Sequence, residues 1–341
     1  MRTGRAVWVT APRRVEVLAE PVRAPGEGEV TVRTLVSLIS AGTELKYYRG
    51  HAALEMNVGH PTLGGAAGYP VRFAYLCAGR VVEAGPGAPH RPGDLVYARH
   101  PHQDLFTTPV EHDGRAVVVG LPADMAPEVA MFLNLAEVAV NALLDVPVGL
   151  GDVAVVFGQG IVGLFLAQLA RRTAGRLLVV DPLPMRRRLA LALGADAAVE
   201  PGEIEAAVRE ASDGRGADVT FEASGAPGAL QQAIRVTGRE GTVVVASFYG
   251  DRPVELILTP EFHVGRQRIV STMVSGLNPA LRSRWDFRRR TATAIELLPS
   301  LHTAEMITHR VPFEQAAEAF RRLDEHPAEV LAMALTYREE S

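Results

Sequence analysis

Between residues 5 and 39 apolar and polar positions alternate, in AVWV, RRVEVLAE and EVTVRTLVSLIS, with AP and RAPGEGE as breaks. That period, punctuated by Pro and Gly, predicts antiparallel strands. A polar, aromatic segment follows at 41–50 (AGTELKYYRG), then a Gly/Pro/His-rich stretch at 51–70. The stretch is too long for a plain connection and reads as functional. Strand patterns resume at 75–83 (YLCAGRVVE), turn in AGPGAPHRPGD, and continue at 95–109 (LVYARHPHQDLFTTP), a strand with a basic-aromatic loop inside it. From residue 123 the period lengthens, and AEVAVNALLDV at 136–146 predicts a buried helix. Helix and strand then alternate. The strands are VAVVF, LLVV, AAVE, DVTFEAS, TVVVASFYG and, sixth, RIVSTMVSG; residues 291–326 add two helices around a short strand.

Alternation of this kind means a doubly wound parallel sheet. The fold class is therefore α/β: an N-terminal antiparallel β domain followed by a Rossmann domain and a C-terminal segment. The expected division is 1–140 with 300–341, and 141–299. Such sheets bind ligands at the carboxyl ends of their strands, so substrate is expected in the cleft between the domains.

At 341 residues two domains are expected, and 48% hydrophobic content is ordinary for packed cores. A net charge of −4 carries no nucleic-acid footprint. The single cysteine, Cys77, excludes an internal disulfide framework and a four-cysteine zinc site, and reads as an inert buried thiol in a reducing cytosol. The N-terminal MRTGRAVWVTAPRR lacks an apolar core of signal-peptide length, and no run of 18 apolar residues occurs. A soluble, cytoplasmic protein with a small-molecule substrate, no membrane and no nucleic acid is the expectation.

The strongest chemical signal is at 153–181, where a strand, G-x-G-x-x-G, a helix, a second strand and an acid follow in order. Gly158 permits the tight turn, Gly160 lets backbone approach a pyrophosphate, and Gly163 lets the helix pack closely. Ile161 and Val162 open the helix whose N–H groups meet the phosphates. Asp181 lies 18 residues past Gly163, where a carboxylate accepts from an adenosine ribose and repels a 2′-phosphate. The cofactor expected is thus NAD. Arg186 and Arg187 could partner a phosphate, which keeps NADP open. Ala223, Ser224 and Gly225, with Tyr249 and Gly250, end later strands and are expected near the ribose and nicotinamide.

The motifs AGTEL, GRVVEAG, GDLVYA, LAEVAVNAL, GQGIVG, VVD, FEASG and THRVPFEQAAEAF, in this order, resemble the medium-chain dehydrogenase/reductase superfamily over nearly the whole chain. SAGTE, HPHQ, SFYGDRPVEL and RWDFRRR resemble its bacteriochlorophyllide a dehydrogenase branch. The resemblance implies a GroES-like N-terminal domain and hydride transfer between a nicotinamide and an alcohol or carbonyl. It also implies a homodimer through the sixth strand, and places Val274–Gly276 at the nicotinamide carboxamide. Many relatives hold zinc. Here Ala41 stands where the family's first ligand, a Cys, precedes Gly-Thr-Asp, and Tyr75 stands where the second, a His, falls. Residues 99–106 span the place of the four-cysteine lobe. Only Glu137 matches a ligand of polyol-dehydrogenase relatives, and one carboxylate does not hold zinc. No catalytic or structural zinc is expected.

Without a metal, side chains must stabilise the alkoxide or carry the proton. Thr43 matches the family's Ser/Thr on the substrate oxygen, and Lys46 falls where a relay His often stands. Thr43 could equally cap a turn, and Lys46 could be a solvated charge. Tyr75 is either a phenolic proton donor or a filler of the lost metal site. His100 and His102 share a face if the segment is a strand; one contacts substrate or acts as a base, or both are surface histidines. Glu137 is a vestigial ligand or, preferably, a buried acid with a neighbouring donor. Tyr47 and Tyr48 read as cleft lining. Arg282, Arg284, Arg288, Arg289 and Arg290 read as a solvated face, or as contacts to an anionic substrate group.

The leading expectation is a zinc-independent oxidoreductase of specialised metabolism, acting on a secondary alcohol or ketone of a ring-bearing metabolite. A quinone or enoyl double-bond reductase using NADPH is the alternative, kept open by ELKYYRG. A non-catalytic nucleotide-binding redox sensor is the third.

Overall fold

The computed structural model describes residues 2–51, 68–249 and 253–338. The chain divides into two compact units, Met1–Asn134 with Thr303–Ser341, and Leu135–His302.

The first unit is built on antiparallel pairing. Strands Arg2–Ala11 and Arg14–Val22 form a hairpin. A seven-stranded sheet runs Ile307–Pro312, Ala332–Thr336, Glu29–Leu38, Cys77–Ala84, Leu95–Ala98, Val118–Gly120, with Leu105–Pro109 also on Glu29–Leu38. Only Ile307–Pro312 and Ala332–Thr336 pair in parallel. Val30, Val32, Val81, Val96 and Phe106 make one buried cluster. Leu45, Tyr47, Tyr48, Phe313, Phe320 and Met333 belong to another.

The segment 95–109 is two strands, not one. Leu95–Ala98 pairs with Cys77–Ala84, whereas Leu105–Pro109 pairs with Glu29–Leu38. Pro101 has no N–H for a ladder, so the histidines flanking it lie on a loop and share no strand face. Strand Ala332–Thr336 is absent from the pattern-based expectation. Its AMALT has a single β-branched residue and no alternation, and burial rather than propensity makes it a strand.

The second unit is a six-stranded parallel sheet ordered Ala197–Val199, Arg176–Val180, Val153–Phe157, Ala217–Glu222, Thr237–Val245, Arg268–Ser271. The chain winds outward one way from Val153–Phe157, then returns to start again from Ala217–Glu222. That reversal puts the carboxyl ends of these two strands beside the crevice such sheets use for ligands. All five residues of Val153–Phe157 are buried, as a strand covered on both faces requires.

Candidate active site

In the second unit, strand Val153–Phe157 feeds directly into the glycine turn. Gly158 has φ +84°, and a Cβ there would meet Ser224 at 2.7 Å. Side chains are thus excluded by both backbone and space. Around Gly160 nothing lies within 4 Å of a would-be Cβ, so its main chain is open to a group the size of a phosphate. A Cβ on Gly163 would stand 1.8 Å from the Gly158 carbonyl oxygen. The helix Ile161–Ala170 therefore packs closely against the turn at Gly163, as well as against the strands Val153–Phe157 and Arg176–Val180. Open backbone at Gly160 and free N–H groups at the helix start fit a dinucleotide pyrophosphate.

Asp181 is buried, with one oxygen accepting from Gln159 N at 2.7 Å and the other from Leu183 N at 2.8 Å. It ties the second strand to the glycine turn. Arg186 lies 3.9 Å from it. Arg187 donates to the Asp181 and Pro182 carbonyls and to Glu200, so it is committed within the loop.

Glu222, which no sequence reading singled out, is fully buried at the end of its strand. It accepts from Ser224 N at 2.8 Å, Gly225 N at 3.1 Å and Tyr249 OH at 2.6 Å, and from the Ser224 and Ser247 hydroxyls. A carboxylate closing an apolar strand before Ala-Ser-Gly is the signal that could have found it. Ala223 donates to Phe157 O at 2.9 Å. Gly250 lies outside the described residues.

Glu137 is fully buried, accepts from the Thr291 hydroxyl and stands 3.6 Å from the Arg290 guanidinium. Arg290 also donates to Asn141 Oδ1 at 3.0 Å and to the Val274 carbonyl at 2.5 Å. The arginine run is therefore not a uniformly solvated face: Arg288 and Arg289 are exposed, while Arg290 is buried against an acid. Helical rotation turns it inward beside Thr291. Asp145, accepting from the Thr272 hydroxyl at 2.6 Å and from Asn141, extends the same network; burial raises its carboxyl above the ordinary value.

In the first unit, residues 40–44 form a turn into the short helix Glu44–Arg49. Thr43 occupies the cap position, but its side chain makes no capping bond; its hydroxyl lies 3.4 Å from the Tyr75 phenol. Ser40 Oγ lies 2.8 Å from the same phenol. Burial pushes the phenol above its ordinary 10.0, the Ser40 and Thr43 bonds pull it down, and the Glu44 charge pushes it up. The Tyr75 carbonyl accepts from the Tyr97 hydroxyl, and its ring meets Phe73 edge-on at 5.9 Å. Lys46 lies half-buried on the helix.

His100 and His102 are both buried, which corrects the surface reading. The His100 ring stacks on Phe106 at 3.6 Å, with Nδ1 2.9 Å from the Pro101 carbonyl. His102 holds Glu44 through Nε2 at 2.9 Å and Ser37 through Nδ1 at 2.8 Å. Tyr47 and Tyr48 pack in the core rather than lining a cleft, because the helix turns them with Leu45 onto apolar neighbours. Burial lifts the Tyr47 phenol to about 12. With both phenols buried, ELKYYRG no longer favours a double-bond reductase. Cys77 is buried and its thiol is likewise lifted to about 12.

Among the described residues no three His, Cys, Asp or Glu stand together as metal ligands. Tyr75 and its hydroxyl neighbours do not present a zinc ligand set. Sequence reading reached Thr43 and Tyr75 but missed Ser40 and Glu44, whose roles depend on pairings distant in sequence.

Residues 162–289 match the family described as zinc-binding dehydrogenase. D-guloside 3-dehydrogenase of Shigella flexneri is 31% identical over 215 residues, 61% of each chain. The 2-desacetyl-2-hydroxyethyl bacteriochlorophyllide A dehydrogenase of Rhodobacter capsulatus is 28% identical over 347 residues, 98% of each chain. An alcohol dehydrogenase structure from Thermotoga maritima superposes with a TM-score of 0.81 at 18% identity, covering 99% of this chain and 100% of that one.

Proposed function

We propose, from the premise that this chain belongs to the medium-chain dehydrogenase/reductase superfamily, that it interconverts a secondary alcohol and its ketone without zinc, with Tyr75 carrying the proton. Its relatives are dehydrogenases, and the chain is an oxidoreductase of that kind. The observation that carries the finer reading is the hydroxyl group of Tyr75 between Ser40 and Thr43, at the place where the family's second metal ligand would stand.

A bound nicotinamide dinucleotide supplies or accepts the hydride. Residues Gly158–Gly163 would hold its pyrophosphate and Asp181 its ribose, which favours NAD. In the reductive direction the carbonyl oxygen, on becoming an alkoxide, takes the Tyr75 proton, and Ser40 and Thr43 donate to the resulting phenolate. Solvent then reprotonates Tyr75. Thr43 also fits the substrate oxygen. A ring-bearing, polar substrate is the class suggested by the full-length bacteriochlorophyllide relative and the partial guloside match.

The test is NADH-dependent turnover with the best ketone from a panel of cyclic and sugar-derived ketones. Tyr75→Phe should lower kcat by about 10²–10⁴, the usual contribution of a general acid. An unchanged kcat removes Tyr75 from the mechanism. Wild-type enzyme purified without chelators should turn over with substoichiometric zinc; activity that tracks stoichiometric zinc contradicts the metal-free reading.

A further inference from the structure

We propose that Ser40 is a positioning residue for Tyr75, and that the buried Glu44–His102 pair holds Ser40 in place. The proposal rests on the reading of Tyr75 as proton carrier for its functional meaning, but not for its geometry.

Ser40 is fixed through its main chain. Its N–H donates to Glu44 Oε1 at 2.8 Å, and its carbonyl accepts from Thr43 N at 3.0 Å and Glu44 N at 2.7 Å. One torsion, χ1, then decides where the hydroxyl points, and it points to the Tyr75 phenol at 2.8 Å. A scaffold role would need only the backbone contacts, which alanine would keep. Among the described residues the hydroxyl's partner is the phenol.

Glu44 is itself held. It is 1% exposed, and its second oxygen takes His102 Nε2 at 2.9 Å. His102 is 2% exposed, with Nδ1 2.8 Å from Ser37 Oγ, which lies 2.8 Å from Tyr337 OH. One assignment of protons satisfies every member: Tyr337 donates to Ser37, Ser37 to His102 Nδ1, and His102 Nε2–H to Glu44. A neutral histidine suffices, and the chain ends on a carboxylate that also holds Ser40. A buried carboxylate deprived of one donor is costly and must find another. Loss of His102 therefore releases Ser40 at second hand. Among the described residues, the charged and titratable groups that act on the phenol are Glu44 and Tyr47, both from the helix Glu44–Arg49.

The test reads Tyr75 directly. Protein labelled throughout with 3-fluorotyrosine, whose phenol is more acidic than tyrosine's, is titrated by fluorine NMR; the resonance lost in Tyr75→Phe is Tyr75. Ser40→Ala removes a hydroxyl that donates to the phenolate, so the Tyr75 midpoint should move upward. Ser40→Thr keeps the hydroxyl and should restore it. His102→Gln should move it in the same direction as Ser40→Ala. An unmoved midpoint in folded Ser40→Ala overturns the positioning role. A moved midpoint there with none in His102→Gln overturns the clamp. If His102→Gln does not fold, His102→Asn carries that arm. Because no turnover is needed, a failure here is distinct from the failure of Tyr75→Phe to lower kcat.

Discussion

Among the first-unit groups lifted above their ordinary values chiefly by burial are the Tyr47 and Tyr75 phenols and the Cys77 thiol. Each is neutral in the fold at a pH where the unfolded chain has lost the proton. A raised folded value contributes stability fully below the unfolded value, 9.0 for the thiol and 10.0 for the phenols, and loses it as pH rises through the folded value. For Cys77 and Tyr47 the window ends near 12. Urea midpoints should therefore fall steadily as pH rises above about 9; a midpoint constant to about pH 11 contradicts the burial of these groups. Tyr75, whose ordinary value of 10.0 already leaves it protonated at neutral pH, stays in the form a proton donor needs. Residue type alone pointed to Thr43 and Tyr75. It also drew attention to His102 but could not pair it with Glu44, which it meets across 58 residues of chain. Their pairing follows from strand order, and nothing local encodes it.

At the scale of the element, the glycine turn separates two roles one residue type can have. At Gly163 the missing Cβ is a packing requirement, set by the Gly158 carbonyl 1.8 Å away. At Gly160 it leaves open space, and φ is −72°, which any residue adopts. Gly163→Ala should cost about 1–3 kcal/mol in denaturant unfolding, the range of overpacking. Gly160→Ala should stay within about 0.5 kcal/mol of wild type, as unencumbered substitutions do, yet weaken NAD in a calorimetric titration. Equal stability losses in both variants would contradict the division. This turn is legible in sequence because its demands fall on backbone and on side chains that are absent. The 95–109 segment is less so: its apolar positions suit one strand or two, and Pro101 decides the matter through a missing N–H. Strand Ala332–Thr336 gives no periodic signal, since all but its last residue are buried.

For the whole molecule, the order of motifs carries the α/β class and the nucleotide-binding unit, because an apolar period and a glycine pattern suffice for both. Cofactor choice rests on Asp181, whose two oxygens already accept one backbone N–H each and keep further lone pairs. A ligand that binds only the folded state at about 100 times its Kd adds about 2.7 kcal/mol of stability. NAD should therefore raise the unfolding temperature more than NADP at equal concentration, and the reverse order would overturn the reading of Asp181. Glu222 has a different consequence. One carboxylate fastens the turn after its own strand, at Ser224 and Gly225, and the turn after its neighbour, at Ser247 and Tyr249. The two turns have a shared hinge pin: neither can be remodelled alone, and an engineer who wishes to reshape one inherits the motion of both.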